Sequence, residues 1–162
     1  MQAKEVVHNL IILDESGSMS SIKNQIISGF NELVQTVKGV ATEYPEQEHY
    51  ITFISFNSSR ITTHLYCKPV SELAETNGKR YRPDASTPLF DAMGAGINRL
   101  RDHLKDEEKT NVLVTILTDG MENASREYDL AAIKALVKEM QAKGWTFTYI
   151  GTDHDVEQFA DS

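Results

Sequence analysis

The stretch Val6-Val7-His8-Asn9-Leu10-Ile11-Ile12-Leu13-Asp14-Glu15-Ser16-Gly17-Ser18-Met19-Ser20-Ser21 decides how the rest of the chain is read. It opens on an apolar, partly β-branched run, Val6 to Leu13, interrupted by His8 and Asn9. That is the length and composition of a strand buried on both faces, and it is too short and too polar to cross a membrane. The run breaks at Asp14 into a turn of hydroxyl residues and one glycine. A stripe of apolar residues at helical spacing follows: Ile22, Ile26, Phe30, Leu33, Val34, Val37 and Val40. Buried strand, polar turn and amphipathic helix together make the opening of a βαβ unit.

The same alternation continues downstream. Tyr50 to Phe56, Asn111 to Thr118 and Thr146 to Gly151 read as further buried strands. Helical stripes run through Leu89, Met93, Ile97, Leu100 and Leu104, and through Leu130, Ile133, Leu136, Val137 and Met140, the last stopped by Gly144. A fifth strand candidate, Ile61 to Lys68, is separated from Tyr50 to Phe56 by Asn57 to Arg60 alone. That gap holds a hairpin turn but no crossover helix, so this strand pairs antiparallel. The expected fold is a doubly wound α/β domain: a mostly parallel central sheet, one antiparallel edge strand, and helices on both faces. Ligands of such sheets bind beyond the carboxyl ends of the strands.

Composition narrows the function. The 162 residues suit a single domain over 1–162, and 40% hydrophobic with 25% charged residues is ordinary for a globular chain. A net charge of −8 removes the global phosphate-neutralising term that nucleic-acid binding relies on. The lone Cys67 cannot form an internal disulfide or a multi-thiolate zinc site, and His8, His49, His64, His103 and His154 lack metal-ligand spacing. Residues 1–5 carry no basic, small-residue-terminated leader, so the expected location is cytoplasmic. Trp145 is expected to anchor packing and Cys67 to be a half-buried strand residue. The mixed charges from Arg99 to Lys109 read as a solvated helix end.

Three loops meet at one edge of this sheet. Asp14, Ser16 and Ser18 follow the first strand, and Asp119 follows the strand ending at Thr118. Thr87 precedes Pro88 at the start of the second helix, where Thr suits the N-cap and Pro the first helical position. Taken singly, each is an ordinary turn or capping residue. Taken together they form an all-oxygen donor set without imidazole or thiolate, which favours Mg²⁺, with Mn²⁺ or Ca²⁺ next, over Zn²⁺ or copper. Hydroxyls bring no charge, so two carboxylates leave such a cation able to recruit an anionic oxygen from outside. Glu15, Asp84, Asp91 and Glu122 read as solvated or supporting carboxylates around the site.

Asp14-Glu15-Ser16-Gly17-Ser18 resembles the Asp-x-Ser-x-Ser motif of von Willebrand factor type A (vWA) domains. Thr87 in Ser-Thr-Pro-Leu-Phe-Asp-Ala and Asp119 in Leu-Thr-Asp-Gly match the other positions of that family's metal-ion-dependent adhesion site. The Ser-Gly-Ser-Met and Thr-Pro-Leu-Phe-Asp-Ala segments look like the bacterial branch. The resemblance runs from Val6 to about Gly151. It implies that Ser16 and Ser18 bind the metal directly, Thr87 directly or through water, and Asp14 and Asp119 largely through water or hydrogen bonds. It also implies that the open position accepts an Asp or Glu carboxylate from a protein partner. In the family a helix, another strand and a last helix follow the strand like Thr146 to Gly151. Here Thr152 to Ser162 remain, and eight helical residues from Asp155 would rise only about 12 Å. The expectation is therefore a truncated or minimal vWA domain.

The leading function is a non-enzymatic, cation-dependent protein-interaction module. A phosphoryl-transfer or hydrolytic enzyme using Asp14 as nucleophile is one alternative. Ser16 stands where a second carboxylate would serve as acid/base, and neither a Gly-x-x-x-x-Gly-Lys loop nor a Gly-x-Ser-x-Gly elbow is present. A scaffold whose metal only pins the loops together is the other.

Overall fold

The computed structural model describes residues 5–15, 17–57, 60–77, 79, 81, 83, 88–104, 110–118, 125 and 128–150, with Ser18 and Ser21 described by their backbone alone. In chain order the elements are β1 (Val6–Asp14), a 3₁₀ segment (Gly17–Ile22), α1 (Lys23–Glu43), β2 (Glu48–Asn57), β3 (Arg60–Pro69), a short 3₁₀ turn (Val70–Glu72), α2 (Leu89–Leu104), β4 (Thr110–Leu117), α3 (Leu130–Ala142) and β5 (Thr146–Ile150). The sheet order is β3-β2-β1-β4-β5. β1 pairs parallel with β2 and β4, β4 pairs parallel with β5, and β2 pairs antiparallel with β3 at the edge. This is the doubly wound α/β architecture expected from the order of elements.

Strand alternation sorts the core into two layers. Leu10 and Ile12 of β1 join Ile54, Val112, Val114 and Ile116 on the face covered by α2 and α3. Ile11 and Leu13 join Ile51 and Leu117 on the face covered by Ile26, Phe30, Val34 and Val37 of α1. With helices on both faces, Leu10, Ile11 and Ile12 are all inaccessible to solvent or nearly so. That explains why the strand reads as a continuous apolar run rather than an alternating one.

The helix stripes hold with local exceptions. All five stripe residues of α2 are buried, whereas Val40 of α1 and Leu130 of α3 lie exposed at helix ends. Gly144, at φ +96°, follows the end of α3 in the left-handed region that favours glycine. Asp129 caps α3 by accepting the Ala132 N–H at 2.8 Å. The β2–β3 hairpin closes on the pair Asn57 and Arg60. Cys67 is half-buried as expected, but its φ of +49° lies in β3, beside the irregular β2–β3 register. Trp145 is buried, with its ring stacked 6.4 Å from Phe147. Among the described residues no helix is long and apolar enough to cross a membrane. The proposed helix from Asp155 and the charged segment 105–109 lie outside the described residues.

Candidate metal centre

The strand order reverses between β1 and β4, the point where an open α/β sheet leaves a crevice beyond its carboxyl ends. Asp14 is the last residue of β1 and stands at that point, wholly inaccessible to solvent. Its Oδ2 accepts a 2.8 Å hydrogen bond from the Thr118 hydroxyl, which is itself buried just past the end of β4. Removing a carboxylate from water is costly unless donors or a cation face it. The Thr118 hydroxyl is one such donor.

Backbone bonds tie the neighbouring strand ends to the same place. The Glu15 N–H donates to the Phe56 carbonyl at 2.8 Å, and the Thr118 N–H donates to the Ile150 carbonyl at 2.9 Å. The hydroxyl of Tyr81, a fully buried side chain, donates to the Asp14 backbone carbonyl at 2.5 Å. Met19, also fully buried, seats in the α1-side core the 3₁₀ segment that begins inside the Asp-x-Ser-x-Ser motif at Gly17. That segment leads from the motif into α1.

Of the five sequence-derived ligands, Asp14 is placed as described. Ser16, Thr87, Asp119 and the Ser18 side chain lie outside the described residues, as do Asp84 and Glu122. No group of three or more His, Cys, Asp or Glu able to hold a metal occurs among the described residues. A site built largely from Ser and Thr hydroxyls would not take that form. The donor chemistry fits a hard cation: a buried carboxylate and a buried hydroxyl, both oxygen donors, lie at the switch point.

Asp91 proves to have a specific structural task. Its Oδ1 accepts the Tyr128 N–H at 2.9 Å, and its own N–H donates to the Ser125 hydroxyl at 2.9 Å. Asn98 donates to the Tyr128 hydroxyl at 2.6 Å. These bonds fasten the segment after β4, which carries Asp119, to the first turns of α2, which follow Thr87. Thr118 and Tyr81 are the supporting residues that sequence reasoning missed. Thr118 lies inside the quoted Leu-Thr-Asp-Gly segment, whereas nothing in the polar stretch around Tyr81 marks it.

No protein-family model matches this sequence, and no curated protein matches it. Solved structures do. The manganese-loaded crystal structure of the Plasmodium vivax TRAP protein superposes with a TM-score of 0.64 at 18% identity, covering 97% of this chain and 63% of that one. The pilus adhesin SpaC from Lactobacillus rhamnosus GG gives 0.66 at 14% identity, over 98% of this chain and 27% of that one. Proximal thread matrix protein 1 from the mussel byssus gives 0.53 at 14% identity, over 91% and 36%. The chain thus spans less than two thirds of each of these proteins. At such identities the likeness establishes the fold, a vWA-like, Rossmann-like α/β sheet.

Proposed function

We propose that this chain is a divalent-cation-dependent protein-interaction module in which Asp14, Ser16, Ser18, Thr87 and Asp119 hold Mg²⁺ or Mn²⁺. The observation that carries the reading is the buried Asp14 carboxylate at the β1/β4 switch point, bonded to Thr118, the residue before Asp119. With Asp14 and Asp119 acting through water or hydrogen bonds, the ligands that touch the cation are neutral hydroxyls, so an Asp or Glu side chain of a partner protein completes its shell with charge. The manganese carried by the TRAP structure is in keeping with this chemistry. The metal's role is that of a bridge between carboxylates, and no residue of the set acts as a catalyst.

Panning a displayed random-peptide library on the immobilised chain tests the reading. Peptides retained in Mg²⁺ should contain Asp or Glu, elute with EDTA, and fail to bind an Asp14→Ala variant whose thermal melt remains cooperative. Retention of the same peptides in EDTA would contradict it.

A further inference from the structure

A pocket of about 240 Å³ opens beside the candidate metal centre on the α1 side of the sheet. It is smaller than the roughly 300–1,000 Å³ typical of small-molecule sites, a size suited to one inserted side chain rather than a cofactor. Its walls include Phe30 of α1, Phe53 of β2 and Leu65 of β3, with the buried Tyr81 beside Asp14. The Phe30 and Phe53 rings lie 5.1 Å apart, and the His64 ring stacks on Phe53 at 4.6 Å. Phe30 is itself inaccessible to solvent and backs Phe53, so the ring surface open to the pocket is that of Phe53 and His64. The outer wall is the segment after β3, fixed to α1 where Asn31 pairs with both backbone groups of Thr76, at 2.7 and 3.0 Å. Carboxylates lining the opening come from Glu15, Glu72 and Glu75. Burial, with the nearby Arg60 charge, lowers the pKa of His64 against the opposing charge of Glu15, which favours the neutral imidazole in this wall.

We infer that this pocket receives a basic side chain, above all an arginine, of a protein partner. An aromatic wall with an acidic rim matches a guanidinium on both counts: its flat face stacks on the rings and its N–H groups meet the carboxylates. Lysine offers the charge without the planar face and fits less well. The net charge of −8 favours a cationic occupant in the same sense. Tyr81 joins the pocket to Asp14, so a partner segment carrying one acidic and one basic residue would engage both places. That pairing rests on the proposed function, whereas the arginine pocket itself does not require the metal.

The test is a titration of the ¹⁵N-labelled chain with Nα-acetyl-arginine N-methylamide, followed by NMR with EDTA present and repeated in Mg²⁺. Saturable shifts are expected at Phe53, Leu65 and Leu73 in both buffers. The citrulline and leucine analogues should bind about tenfold more weakly, and a Glu72→Gln/Glu75→Gln variant with an otherwise unchanged spectrum should weaken arginine binding by about the same factor. Equal responses to arginine, citrulline or leucine, shifts that require Mg²⁺, or no shifts at these amides would overturn the inference. Because the EDTA arm excludes the cation, failure here is distinguishable from failure of the metal reading.

Discussion

Asp14 is the residue on which the proposed site rests, and the sequence marked it by position: a carboxylate directly after a buried apolar run. Its bond from Thr118 is a long-range contact and could not be read locally. Thr118→Val keeps the shape but removes the donor, and should lower stability by about 1–3 kcal/mol in urea unfolding, because the buried carboxylate loses a partner. His64 gives a second prediction at this scale. Its Nε2 lies 2.7 Å from the Ser55 hydroxyl, and burial lowers its pKa below 6.5. The unfolded chain therefore binds the His64 proton more readily than the folded one. The contribution is fully present above pH 6.5 and is lost as pH falls from there through the folded pKa. His64→Gln should flatten the fall in melting temperature over that window. An unchanged slope would remove His64 from the account.

Whole elements were legible where one physical signal dominated. β1, β2, β4 and β5 are short apolar runs bounded by turn residues, and the Asn57-to-Arg60 gap excluded a crossover, so strand identity and the antiparallel edge both followed. What periodicity could not show is how loops attach to helices. Asp91 read as a solvated or supporting carboxylate, and which of the two it is became visible only in the Tyr128 N–H that it accepts from a segment 37 residues away. Gly94 of α2 lies against the Tyr128 ring, which a Cβ at that position would run into. Gly94→Ala must displace that ring and should cost about 1–3 kcal/mol. Gly39 of α1 has no neighbour within 4 Å of the corresponding position, so Gly39→Ala should stabilise by about 0.5–1 kcal/mol through helix propensity alone. Thermal melts of the two variants should move in opposite directions, and equal shifts would contradict the packing described for Gly94.

At the scale of the molecule, the reversal of strand order between β1 and β4 determines where a ligand belongs, and the sequence disclosed that edge through polar residues following each strand. The expected five-ligand set came from the residues that follow the strands and open the second helix, together with the family resemblance. The structure adds the stitching of the β1, β2, β4 and β5 ends around Asp14, which depends on register and so stays hidden in a linear reading. A cation bound only by the folded state should raise stability by about 2.7 kcal/mol at a hundredfold excess over its dissociation constant. The most direct measurement is a calorimetric Mn²⁺ titration of the whole chain, paired with thermal melts and repeated on Ser16→Ala, Asp119→Ala and Asp14→Asn. One saturable site in the wild type, matched by a rise in melting temperature and lost in the variants, is the predicted result. No binding by the wild type, or the same affinity in all three variants, would contradict the account.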